Sequence, residues 1–91
     1  MSGPISRTVR IENKRGLHAR ASAKFVTLAS QLAAEVAVGK DGNIVCGTSI
    51  MGLMMLGAAR GDSIDISASG DGAQDAVERL SALVEDKFGE E

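Results

Sequence analysis

The chain has no tryptophan, no tyrosine, one cysteine, one histidine, one proline and two phenylalanines in 91 residues. Each shortage closes a class of function. Few aromatic faces means little for nucleobases to stack on. Ten Lys and Arg against twelve Asp and Glu give a formal charge of −2, whereas a duplex-binding domain carries a basic surplus. A lone Cys makes neither an intrachain disulfide nor a zinc cluster, so nothing points to an oxidising compartment. A lone His leaves a His-rich zinc site without ligands, and any His-based triad has to be built around His18. No metal and no cofactor are therefore expected. The opening residues MSGPISRTVR lack the apolar core of a signal peptide, and no apolar run approaches the roughly 18 residues of a membrane span. A soluble, cytoplasmic protein with no membrane insertion and no nucleic-acid partner is expected.

What is present is ordinary and globular: 44% hydrophobic residues and 24% charged. A chain of this length buries roughly 60–65% of its unfolded surface, enough for one thin core. One domain over residues 1–91 is expected, with its function on the surface.

Residues Ile5 to Ile11 put Ile5, Val9 and Ile11 on one parity and Ser6, Thr8 and Arg10 on the other, the alternation of a half-buried strand, with Arg7 out of phase. The period then changes. Ala21, Phe25, Leu28, Ala29 and Leu32 form the apolar stripe of a helix starting close to His18, and Arg20, Lys24, Thr27 and Gln31 fall on its opposite side. AEVAVGK and NIVCG read as a hairpin turning at Asp41-Gly42. Thr48 or Ser49 caps a short helix in SIMGLMMLGAARG, which Gly57 and Gly61 end. SIDISAS is a second clear one-sided strand. The strongest helical stripe follows, through Ala73, Ala76, Val77, Leu80, Leu83, Val84 and Phe88, capped by Asp71 or Gly72. The closing FGEE reads as frayed. Strands that alternate so cleanly cover one face only. The order βαββαβα thus predicts an α+β fold, a four-stranded antiparallel sheet with three helices on one side and water on the other.

His18 sits in GLHAR, between a loop ending in glycine and a helix start. Unpaired backbone N–H groups and the positive end of the helix dipole stabilise an anion there, so a phosphoryl group on the imidazole would meet donors. Arg20 adds a guanidinium fork suited to phosphate oxygens, and imidazole is a competent nucleophile near neutral pH. The plainer reading is a polar residue that tolerates a helix start. Ser49 likewise reads two ways, as an N-cap or as a phosphorylation site that would place charge on a contact surface. Ile50, Met51 and Met54 suit a core or an adaptable binding surface equally. Cys46 has no neighbouring base and no CxxC partner, and reads as a passive small residue. The glycines form no phosphate-binding loop.

With GLHARASAKFV and SIMGLMMLGAARG both in place, the sequence resembles the HPr family, the histidine-containing phosphocarriers of the bacterial phosphoenolpyruvate-dependent phosphotransferase system, over nearly its whole length. The resemblance implies an open-faced β-sandwich. It implies that His18 takes a phosphoryl group from enzyme I and passes it to an enzyme IIA-type protein, with Arg20 beside the phosphate. It implies that Ser49 is the target of HPr kinase/phosphorylase, and that Ile50, Met51, Met54 and Gly57 form the docking patch. Such a protein is a monomeric phosphoryl carrier and not an enzyme. Most members read HARP where this chain has Ala21; Ala occupies the same backbone, so the phosphate site is not broken. IENKRGLHAR and LMMLGAARGDSIDISASG look like the nitrogen-related NPr branch at least as much as the sugar-transporting one. The alternative of a different class is a regulatory module that binds partners through an HPr-like surface without carrying phosphate.

Overall fold

The computed structural model describes residues 4–90. Its elements are β1 (Ile5–Arg10), α1 (Ala19–Ser30), β2 (Glu35–Lys40), β3 (Asn43–Cys46), α2 (Ile50–Met55), β4 (Ser63–Ser69) and α3 (Ala73–Glu85), followed by a single turn at Lys87–Gly89. The sheet runs β1-β4-β2-β3 and is antiparallel throughout. Its core face is the one the alternation predicts: Val9, Val36, Val38, Ile64, Ile66 and Ala68 are buried, while Thr8, Asp65 and Glu35 are exposed. Against that face the helices set Ala21, Phe25, Leu53, Ala76, Val77, Leu80 and Val84, all buried. The result is the open-faced β-sandwich, one layer of helices on one layer of sheet.

Local chemistry accounts for most boundaries. Asp41 and Gly42 both take positive φ, 51° and 85°, as a two-residue hairpin loop of the right twist requires. Of the two candidate caps, Ser49 is the one used: its Oγ accepts the Gly52 N–H at 2.9 Å. Arg7 shares the core parity but stays exposed, because β1 is an edge strand and the side chain lies beside Gln74 and Glu78 of α3.

Four expectations need correction. β1 ends at Arg10, and Ile11, although fully buried, exchanges backbone hydrogen bonds with Gly61 and Asp62, both at 2.8 Å. Gly61 therefore belongs to the turn entering β4, and α2 already stops before Gly57. The stripe of α3 breaks at Glu85, and Phe88 reaches the core from the turn that follows, with φ of 57°. Finally, Phe88 to Glu90 is not frayed: Phe88 is fully buried, and the Lys24 ammonium donates to its carbonyl at 2.8 Å. Glu91 lies outside the described residues.

Candidate functional site

The loop before α1 is built on Gly16. Its φ is +63°, and a Cβ there would collide with the Ala58 carbonyl and sit 2.8 Å from the Ala59 Cα, so only glycine lets the loop lie on residues 58–59. The Leu17 N–H then donates to the Ala58 carbonyl at 3.0 Å. The Asn13 amide, itself buried, closes the turn by donating to the Gly16 carbonyl at 2.9 Å.

His18 is the N-cap of α1, in extended conformation, and its Nδ1 accepts the Arg20 N–H at 3.3 Å. The imidazole thus takes the place that Ser or Asp usually fills, with the Nδ1 lone pair turned into the donor-rich first turn. On the other side of the ring, Nε2 donates to the Glu90 carboxylate at 2.6 Å. Both contacts demand one tautomer, proton on Nε2 and lone pair on Nδ1. Glu90 is held by a second donor, Asn13 Nδ2, at 3.2 Å. Its carboxyl lies below the ordinary Glu value of 4.5, chiefly through the hydrogen bond from His18, with Asn13 and the charge of Lys24 acting in the same direction.

Around His18 lies a cleft of about 500 Å³ lined by cations from four parts of the chain: Lys14 and Arg15 before the loop, Arg20 on α1, Arg60 after α2, and Lys87 after α3. None of the five forms an ion pair among the described residues. Unpaired cations gathered at a helix N-terminus make the cleft a strong anion site. No group of acidic, His and Cys residues able to hold a metal ion occurs among the described residues, and no helix there is long and apolar enough to cross a membrane.

The second predicted site lies on α2. Met51 is 71% exposed and Met55 80%, with Ile50 and Met54 also exposed, and Gly57 follows the helix with φ of 65°. Ser49 caps the same helix and is half-buried. An exposed Met-rich face of this kind is an adaptable contact surface. Cys46 is exposed, and its thiol is pulled below the usual cysteine range, chiefly by a 3.1 Å contact with the Thr48 hydroxyl.

A family profile described as the PTS HPr component phosphorylation site matches residues 5–86. This chain belongs to the HPr family. It is 46% identical over 86 residues to the phosphocarrier protein HPr of Neisseria meningitidis, covering 94% of this chain and 97% of that protein. It is 38% identical to the phosphocarrier protein NPr of Shewanella violacea, covering 94% of each. Its fold overlays an HPr crystal structure from Thermoanaerobacter tengcongensis with a TM-score of 0.91 at 45% identity, covering 96% and 98% of the two chains. As an HPr-family protein the chain is a phosphocarrier of the phosphotransferase system.

Sequence reading found His18 and Arg20 in this site but missed Asn13, Arg60, Lys87 and Glu90. The signal for the last was present: Phe88 continues the apolar phase of α3, so the residues around it had to fold back onto the core. For Arg60 the signal was weaker, a lone cation between two small residues and Gly61.

Proposed function

We propose that His18 is the phosphoryl acceptor of this chain, receiving the group on Nδ1 from enzyme I and passing it to an enzyme IIA-type protein. The observation that carries this is the inward-facing Nδ1 lone pair at the N-cap of α1. The attacking nitrogen already points at the backbone donors that would hold the phosphoryl oxygens. Transfer forms the N–P bond as the donor's bond to phosphorus breaks, and the Nε2 proton stays where it is. Arg20 supplies a guanidinium to the same cleft. The residue is a carrier: it hands the group on, and the reaction is completed by its partners.

The exposed Ile50, Met51 and Met54, with Gly57 at the edge, form the surface on which donor and acceptor dock in turn, each meeting a monomer of this chain in the cytoplasm. The unpaired cations of the cleft favour partners whose apolar contact is rimmed by acidic residues. Ser49, at the start of that surface, is the candidate for a second input by HPr kinase/phosphorylase. A phosphate there meets the N-terminus of α2 and at the same time charges an apolar contact. The strings IENKRGLHAR and LMMLGAARGDSIDISASG point to the nitrogen-related branch, with a regulatory IIA-type acceptor, against the higher identity to relatives named HPr.

Mass spectrometry after incubation with phosphoenolpyruvate and purified enzyme I tests the reading. An acid-labile adduct of about +80 Da is expected, lost in His18→Ala. No adduct, or one that survives His18→Ala, would refute it.

A further inference from the structure

Lys87, Phe88 and Gly89 take φ of 58°, 57° and 76°, three successive residues in the left-handed region. For L-residues this is unfavourable, and for a bulky aromatic rare, so the turn persists only because its surroundings enforce it. Two anchors do so: the full burial of Phe88, and the Lys24 ammonium bound to the Phe88 carbonyl at 2.8 Å. The next residue is Glu90, whose side chain is only 24% exposed and meets His18 Nε2 at 2.6 Å. Asn13 is 2% exposed and spends its amide donors on the Gly16 carbonyl and Glu90, leaving its own buried Oδ1 without a partner among the described residues. The two anchors fix the turn immediately before Glu90, and the buried Asn13 amide commits a donor to the same carboxylate.

We infer that the left-handed turn is an arm that presents Glu90, steadied by Asn13, as a positioning residue for His18. Glu90 acts through the imidazole. With Nε2–H donating to the carboxylate and Nδ1 accepting from Arg20, the reverse tautomer would set donor against donor at Nδ1 and acceptor against acceptor at Nε2. The arm therefore keeps the lone pair on the nitrogen that attacks. In the transfer step the Nδ1 lone pair forms the bond to phosphorus, the leaving group of the phosphorylated donor protein keeps its bonding pair, and the ring acquires formal positive charge with its proton still on Nε2. The Glu90 carboxylate lies against that charge. This inference rests on the phosphoryl-transfer reading of His18, but its first test does not need transfer to occur.

Long-range ¹⁵N–¹H NMR of the full chain at neutral pH reads the tautomer directly. Two well-separated ring nitrogens are expected, Nε2 protonated and Nδ1 bare. In Glu90→Ala the two shifts converge, while far-UV circular dichroism keeps its native form. Glu90→Gln, whose amide oxygen still accepts, restores the separation. With enzyme I as donor, Glu90→Ala lowers kcat by roughly tenfold at constant KM, the lower end of what a metal-bound histidine loses with its orienting partner. Asn13→Ala repeats the convergence if it folds; Glu90→Ala decides the matter if it does not. Native ring shifts in Glu90→Ala overturn the inference, as does an unchanged kcat. If the wild-type chain takes up no phosphoryl group while the shifts still converge in Glu90→Ala, the arm stands and the phosphocarrier reading falls.

Discussion

Replacing Gly16 by alanine tests whether the site loop is held by close packing or only by a turn. Two effects add at this position. A non-glycine residue at φ of +63° loses about 1–2 kcal/mol in the left-handed region. The new methyl also collides with backbone atoms of Ala58 and Ala59, which cannot rotate away, so the segments must part and the 3.0 Å Leu17–Ala58 hydrogen bond goes with them, a further ~1 kcal/mol or more. The expected total is about 3 kcal/mol. For a domain of this size that corresponds to a drop in melting temperature on the order of 12–24 °C. Gly57 is a matched control: its φ is +65°, but nothing lies within 4 Å of a Cβ built there. Gly57→Ala should show the backbone term alone, about 1–2 kcal/mol. Thermal melts followed by far-UV circular dichroism compare the two directly. If the variants melt within about 3 °C of each other, the close approach at Ala58 contributes nothing and the reasoning fails. If it succeeds, Gly16→Ala also moves Arg60 away from His18, and the rate of phosphorylation should fall with it.

Ser49→Ala removes the cap on Gly52 and should destabilise by about 1 kcal/mol in chemical denaturation. Ser49→Asp keeps a capping oxygen, so its stability should stay near native while calorimetry records weaker binding to enzyme I; unaltered affinity would count against the docking patch. Glu90 has a folded value below 4.5, so its contribution is complete above that pH and is lost as pH falls through the lower, folded value. Amide hydrogen exchange should show residues 87–90 protected at pH 6 and opening only under acid below about 4.5, with Glu90→Gln removing that acid step; protection that is flat down to pH 3 would contradict it. The Cys46 thiol, lowered mainly by the Thr48 hydroxyl and next by the Thr48 backbone, should be alkylated by iodoacetamide at pH 7.5 faster than an unstructured cysteine peptide, and Thr48→Val should shrink the difference without removing it.

The elements that were legible in the sequence are those whose cause is local. Period-2 runs in β1 and β4, the Asp41-Gly42 hairpin and the Ser49 cap each depend on residues within a few positions of one another, and all are found where local chemistry puts them. The same is true of His18 as the start of α1. The misreadings arose where a long-range contact overrode a local signal. The apolar phase of Phe88 extended α3 on paper, but the side chain reaches the core through a left-handed turn that no propensity favours. The glycine and two acidic residues after it read as a loose end because the partners of Glu90 lie 72 and 77 residues away.

By itself, then, the sequence determined the order of strands and helices, the buried face of each, and the presence of one imidazole at a helix start, because hydrophobic periodicity and capping are near-neighbour effects. Only the tertiary structure decided what surrounds that imidazole. It took the closure of the sheet and the return of the chain after α3 to bring Arg60, Lys87 and Glu90 to His18. No spacing rule encodes such an encounter, since residues so far apart meet only when the whole core has formed and repaid the entropy of bringing them together.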